Sequence, residues 1–439
     1  MRLLVIITFL IAPCGLQAQH AQLAPRVGDV LPDFILTDVQ HYKKSTVTRE
    51  TFKGKWLMLY FWSLGCVSSV GALDKANEIQ NRFDDYLQVV SIGYVHKPKD
   101  KEDIVKVFER KRRTHNYTLP IAYDTVLYEA WDIIGVPAFF IVDPEGVLRY
   151  VVPGGDLTMD KVARILAGET VQLRSLYFDF TNTSGRMMFA ETVKDEDLEY
   201  ASVLTKWHGE LPRIGHEFDL FVGLSDEYKE RGWSVAFATL TRLYQYAYYG
   251  QAWITANDTA SYGKIFERPI LEVSDKTPFE VQDFATGRGY YNYYLKLPLK
   301  DISKKRMMSE MQELLQKMFG YKAAIETRTM PIWRLEVDSD AVERLRSKGG
   351  DPKSFGKRSV AGVHVQNFLI KDFLRMVTAN LPNERRLPFL DFTGITFRVD
   401  AKVETDMTDF ESVQRALNRY GLKLKPSSKE MKVLVIRDP

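Results

Sequence analysis

The chain has 439 residues, enough for two or three ordinary domains rather than one. With 45% hydrophobic and 27% charged residues it has the make-up of packed globular domains, which excludes a mostly disordered chain. Its 60 basic and 57 acidic side chains leave a net charge of +3, so no global field points to nucleic acid or an anionic membrane surface. The two cysteines, Cys14 and Cys66, exclude a disulfide scaffold and a four-cysteine metal centre.

Residues 1–18 read MRLLVIITFLIAPCGLQA: a basic start at Arg2, an apolar run Leu3–Ala12, breakers at Pro13 and Gly15, and small Ala18. This is the layout of a secretory signal and predicts export, to a periplasm or cell envelope. The apolar run is too short for a bilayer, which needs about 20 residues, and no later stretch is long enough, so no transmembrane span is expected. Cys14 offers a lipidation site, but Pro13 directly before it argues against a lipid anchor. Cleavage near Ala18 leaves Cys66 as the lone cysteine, which in an oxidising compartment suggests reactive chemistry or intermolecular pairing.

From about residue 25 to 170 apolar runs alternate with helical patterns. Trp56–Phe61 is a continuous apolar run, as in a strand buried on both faces. Ser69–Tyr86 has helical spacing, with Val70, Leu73, Ala76, Ile79 and Phe83 on one side. Leu87–Tyr94 is a second buried strand, and Lys99–His115 a charged helix with Ile104, Val107 and Phe108 as its stripe. Ala138–Val142 is a further strand that pairs with Val147–Val152 across Asp143-Pro-Glu-Gly146, and Met159–Ala167 a closing helix. The alternation predicts an α/β sheet with a parallel centre. Within it Cys66 falls between a buried strand and a helix start, where free N–H groups and the helix dipole favour a thiolate. The bland alternative is a small buried hydrophobe. Pro137 precedes the Ala138–Val142 strand and belongs at a strand start or in a special turn, including a cis one.

The motifs Gly54-Lys55-Trp56, Phe61-Trp62-Ser63-Leu64-Gly65-Cys66 and Gly135-Val136-Pro137-Ala138 through Asp143, after Val27-Gly28-Asp29-Val30-Leu31-Pro32-Asp33-Phe34, resemble the TlpA-like, redoxin-type branch of the thioredoxin superfamily. The resemblance covers residues 25–168. It implies an α/β thioredoxin-like fold in the cell envelope, with Cys66 as attacking cysteine, Pro137 as the facing cis-proline, and Ser69 and Trp62 as further site residues. The departures matter equally. The second position of C-x-x-C is Ser69, which has no thiol to resolve a mixed disulfide and is left to hydrogen-bond the Cys66 sulfur. Ala72 stands where an acid often follows. The peroxiredoxin pattern is not matched, because Ser63 and Leu59 occupy its threonine and proline positions.

Residues 175–439 form a larger second unit, expected to be α+β. Leu240–Tyr248 fits a helix, Tyr291–Leu297 a strand, and Lys304–Phe319 an amphipathic helix with Met307, Met311, Leu314, Leu315 and Met318 inward. Its tyrosine-rich stretches read as core rather than as base- or sugar-stacking platforms. Phe319-Gly-Tyr-Lys322 with Met330–Leu335 echoes Tyr420-Gly-Leu-Lys423 with Met431–Ile436 at an offset of 101. Each copy reads as helix, strand, turn, strand, which suggests two related modules. The segments Leu240–Tyr248, Leu314–Phe319, Glu326–Pro331, Leu390–Ile395 and Ala416–Leu424 resemble a soil-associated family of domains of unknown function, also found attached to TlpA-like domains. The modules are also weakly similar to the βαββ units of secretins and receptor plugs, which bind proteins. No metal-binding, phosphate-loop or nucleophile-elbow motif occurs, so no cofactor or metal is expected. Two functions remain open: a monothiol redox protein whose partners are protein thiols or disulfides, or a redox-silent scaffold with a C-terminal protein-interaction domain.

Overall fold

The computed structural model describes residues 24–439 except 97, 134, 156, 174–175, 177–198, 208–232, 284–285, 299, 301, 356–359 and 382–386. The expected signal segment lies outside the described residues. None of the described helices is long and apolar enough to cross a membrane.

The first region opens with a small hairpin, β1 (Ile35–Leu36) and β2 (Val47–Thr48). A five-stranded sheet follows: β3 (Trp56–Trp62), β4 (Leu87–Tyr94), β5 (Ile121–Asp124), β6 (Ala138–Val142) and β7 (Leu148–Val152). Its order is β5-β4-β3-β6-β7, with β3, β4 and β5 parallel and β6 and β7 antiparallel. The helices are α1 (Val67–Phe83), α2 (Pro98–His115), α3 (Val126–Ala130) and α4 (Met159–Leu166). This is a thioredoxin-like fold, with helices on both faces of a mixed sheet. Strand β3 explains its own apolar run. Met58, Tyr60 and Trp62 face Val70, Leu73 and Ile79 of α1 and Ile104 and Phe108 of α2. Leu57, Leu59 and Phe61 face Phe34, Trp131 and Phe140 on the other side. Strand β5 and helix α3 were not anticipated, being four and five residues long and too short to show a period.

Residues beyond α4 still belong to this packing. The Val171 N–H donates to the Tyr150 hydroxyl (3.0 Å) and the Leu176 N–H to the Val151 carbonyl (2.8 Å). Val171 and Leu176 thus pair with β7, beyond the end of α4.

The second region is strand-rich with helices packed against its sheets. Its first half holds β8 (Ala201–Lys206), β9 (Trp233–Thr239), α5 (Leu240–Tyr249), β10 (Ile265–Glu272), β11 (Tyr290–Lys296), α6 (Lys304–Phe319) and β12 (Lys322–Val337). The second half holds β13 (Lys353–Phe355), β14 (Gly362–Leu369), α7 (Ile370–Thr378), β15 (Phe389–Asp391), β16 (Arg398–Glu404), α8 (Phe410–Asn418) and β17 (Leu422–Arg437). From β9 and β14 onward the order of these elements is the same, apart from a four-residue helix at Thr277–Glu280 in the first half. The match reaches single residues. Phe237 and Asn367 each lie three residues before a helix at positive φ, 59° and 57°. Their N–H groups donate to Asn292 Oδ1 (3.0 Å) and Asp400 Oδ1 (2.7 Å), each on the neighbouring strand beside a register shift.

One expectation is corrected here. Each copy ends in one unbroken 16-residue strand, not in strand, turn, strand. β12 and β17 pair antiparallel along their full length, from Lys322↔Arg437 to Val337↔Leu422, so each supplies the partner that keeps the other extended. β10 pairs parallel with β17, and β15 parallel with β12. Met307, Met311 and Leu315 are buried as expected, but Met318, in the last turn of α6, is 58% exposed.

Candidate functional site

Cys66 is the N-cap of α1, in extended conformation (φ −120°, ψ 102°), directly after the turn that leaves β3. Its carbonyl accepts from the Ser69 and Val70 N–H groups, both at 3.1 Å, which starts the helix. The sulfur is half-buried and has two polar neighbours at 3.1 Å, the Val136 carbonyl and the Ser68 hydroxyl. The Val136–Pro137 peptide is cis, so Pro137 and Cys66 meet as expected, through the carbonyl that precedes the proline.

Ser69 does not meet the sulfur. It is fully buried, and its hydroxyl donates to the Cys66 carbonyl (2.8 Å), with the Ser63 carbonyl at 3.1 Å, and accepts from the Ser63 N–H (3.2 Å). It ties the Ser63–Cys66 turn to the helix. The sulfur's hydroxyl partner is Ser68, one position earlier and exposed. Trp62 is likewise drawn away: it is 0% exposed, and its indole packs beneath Gly93, where an added Cβ would lie 3.5 Å from the ring. Its backbone carbonyl accepts from Tyr128 Oη (2.7 Å), so Trp62 anchors the end of β3 rather than lining the sulfur. Beneath α1 the Tyr60 hydroxyl donates to the Ser69 carbonyl. Burial pushes the Tyr60 phenol well above its ordinary value, and the Cys66 charge adds to this.

A second cluster was missed from sequence. Lys111 on α2 is 4% exposed, and its ammonium lies 3.5 Å from Asp74 on α1 and 3.6 Å from Asp406 in the second region. Asp74 also accepts from Tyr117 Oη (2.5 Å) and pairs with His115. Burial raises the Asp74 carboxyl, but Lys111, Tyr117 and His115 together hold it below the usual carboxylate range. Next to it Val360 and Ala361 pack into the core of the first region, and the Met407 N–H donates to the Val360 carbonyl (3.0 Å). The signal was present, since Lys111 falls in helical phase with Ile104, Val107 and Phe108. Among the described residues no group of three or more His, Cys, Asp or Glu side chains stands ready to hold a metal.

Residues 276–438 match the family described as Protein of unknown function (DUF3738). Residues 27–151 match the model of the AhpC/TSA family. The chain is 32% identical over 140 residues to the thiol-disulfide oxidoreductase YkuV of Bacillus subtilis, covering 30% of this chain and 92% of that protein. It is 26% identical over 145 residues to the thiol-disulfide oxidoreductase ResA of Geobacillus kaustophilus, covering 33% and 78%. The crystal structure of the thioredoxin domain of thiol-disulfide oxidoreductase BVU-2223 from Bacteroides vulgatus covers 33% of this chain and 98% of its own at 20% identity, with a TM-score of 0.27. Through residues 27–151 the chain therefore belongs to the AhpC/TSA family, as a thioredoxin-like domain related to thiol–disulfide oxidoreductases.

Proposed function

We propose that this chain is an exported, TlpA-type thiol–disulfide exchange protein that works with one thiol, Cys66, and forms mixed disulfides with partner proteins. The observation that carries the reading is the half-buried Cys66 sulfur at a helix N-cap, facing the Val136–Pro137 peptide, with a serine at the resolving position. In the reaction the Cys66 thiolate attacks one sulfur of a partner disulfide. The new S–S bond forms as the old one breaks, and the electron pair leaves with the second partner sulfur, which takes up a proton from water. Release needs an external thiol. Export rests on residues 1–18. Domains at about 25–170 and 175–439, the second a protein-binding unit, complete the reading. Cys66 and Pro137 are its site, Ser69 its buried brace and Trp62 the packing beneath it.

The test is the reaction of the full mature chain with oxidised glutathione at neutral pH, followed by mass. A single adduct at Cys66, together with no turnover in insulin reduction, is the expected result. A folded protein whose Cys66 takes up no adduct leaves a redox-silent scaffold as the reading. Turnover as fast as a dithiol enzyme sinks the one-thiol account.

A further inference from the structure

We propose that Ser68 is the donor that holds the Cys66 sulfur as a thiolate, both before attack and when an external thiol expels it from a mixed disulfide; this assignment rests on the thiol-exchange reading above. The argument is a count of hydrogens. The sulfur has two polar neighbours at 3.1 Å, the Val136 carbonyl and the Ser68 hydroxyl. A carbonyl only accepts, so the Val136 contact uses the single S–H. Ser68 is therefore the donor. Once the proton leaves, Val136 offers the sulfur only lone pairs, while the Ser68 contact becomes charge-assisted and stronger.

The two buried hydroxyls beneath this turn are committed elsewhere. That of Ser69 is held by the Cys66 and Ser63 backbone. That of Tyr60 is held by the Ser69 carbonyl. The consequence falls on the step that a one-thiol protein does poorly. When an external thiolate attacks the partner-side sulfur of the mixed disulfide, the S–S bond to Cys66 breaks and the electron pair leaves on the Cys66 sulfur. Ser68 meets that charge as it forms, and the thiol that attacked ends bonded to the partner. A second cysteine in a C-x-x-C site would instead attack the Cys66 sulfur and expel the partner's, so charge develops on the Cys66 sulfur only on the external-thiol route that Ser68 assists.

The experiment loads the full mature chain with glutathione at Cys66, using oxidised glutathione, and times release by dithiothreitol for wild type, Ser68→Ala and Ser68→Thr. Ser68→Ala is expected to release roughly tenfold more slowly, the size of one charge-assisted hydrogen bond weakened by exposure. Ser68→Thr, which keeps the hydroxyl, should return release to within about threefold of wild type, the remainder reflecting its stiffer χ1. Loading should change less in Ser68→Ala than release does, because a lost thiolate fraction is partly offset by the higher nucleophilicity of what remains. Equal release in wild type and Ser68→Ala overturns the assignment while leaving thiol exchange standing. A parallel fall in loading, release and melting temperature also overturns it, since that is the mark of a packing role. Wild type that never loads removes the thiol-exchange reading and this assignment with it.

Discussion

Replacing Lys111 by Met tests whether the two regions of the chain are held by one buried cation. Methionine keeps most of the apolar stem and removes only the charge. The ammonium lies 3.5 Å from Asp74 and 3.6 Å from Asp406, whose side chains are 45% and 10% exposed. Removing one partner of a buried pair costs about 3–5 kcal/mol, chiefly because the remaining charge is left without compensation. Asp74 falls short of that limit, for it is nearly half in water and keeps Tyr117 and His115. Asp406 keeps two bonds, from the Thr408 N–H (2.9 Å) and hydroxyl (2.6 Å), but is close to fully enclosed. A loss of about 2–3 kcal/mol follows, at or just below the low end of the buried-pair range.

Because Asp74 and Lys111 belong to the first region and Asp406 to the second, the loss should fall on their docking. Calorimetry of wild type should show overlapping transitions, and Lys111→Met should separate them, with the less stable one lowered by roughly 5–10 °C at about 2–4 °C per kcal/mol. A double-mutant cycle with Asp406→Asn should give a coupling of at least about 1 kcal/mol. The pH dependence has a fixed sign. The Asp74 carboxyl is held low in the folded protein, so its contribution is present above the unfolded carboxylate value near 4 and is lost as pH falls through the lower, folded value. Lys111→Met should flatten that acid limb. A variant within about 0.5 kcal/mol of wild type, with unseparated transitions and no coupling, would refute the reasoning.

Gly93→Val should destabilise the first region by about 1–3 kcal/mol in urea unfolding, because a Cβ there meets Ile104 Cγ2 at 2.9 Å beneath α2. Asn292→Ala and Asp400→Ala should each cost about 1–3 kcal/mol, since each strips the acceptor from a bulge N–H held at positive φ, with Asp400→Ala the costlier because its carboxylate also accepts from the Ser347 hydroxyl (2.6 Å) and the Lys348 N–H (3.0 Å); a cost within about 0.5 kcal/mol of zero for either speaks against the bulge bond. Ser69→Cys should allow a disulfide between Cys66 and the introduced thiol, read as loss of both free thiols on oxidation, and should give measurable insulin turnover. The reduced variant should melt below wild type, since a thiol replaces the hydroxyl that braces Ser63 and Cys66.

The sheet of the first region was legible because burial on both faces leaves a plain mark. Runs such as Trp56–Phe61 and Ala138–Val142 have no polar side to interrupt them. Cys66 and Pro137 were legible for a backbone reason: a strand-to-helix junction and a proline before a strand leave few conformations open. The error at Ser69 has an equally local cause. The C-x-x-C spacing draws attention to the third residue after Cys66, but the side chain at that helical position folds back over the N-cap backbone, as N-terminal turns generally do. The hydroxyl one place earlier is the one that reaches the sulfur. Trp62 misled in the same way, by nearness in sequence, although the alternation along β3 assigns it to the α1 side of the core with Met58 and Tyr60.

The second region hid most of its order because the spacing between copies drifts. The helices at 240 and 370 start 130 residues apart, and those at 304 and 410 only 106 apart, so no single offset aligns the whole. Only the closing strands and the turns that lead into them keep a constant sequence offset of 101, Phe319 to Tyr420 and Met330 to Met431, and the pairing explains why they must. An antiparallel ribbon built from two copies of one strand brings an equivalent pair together at one point, here Thr329↔Glu430, which are 101 apart. An insertion in one copy would slide that register and turn the core-facing residues of Met330–Leu335 and Met431–Ile436 outward. The neighbours at the ribbon's ends are exchanged as well, since β10 of the first half lies against β17 and β15 of the second half against β12. Each half thus completes its sheet with a strand from the other. The duplication is visible in the elements, yet neither copy has a closed core by itself, and the unit that folds is the pair.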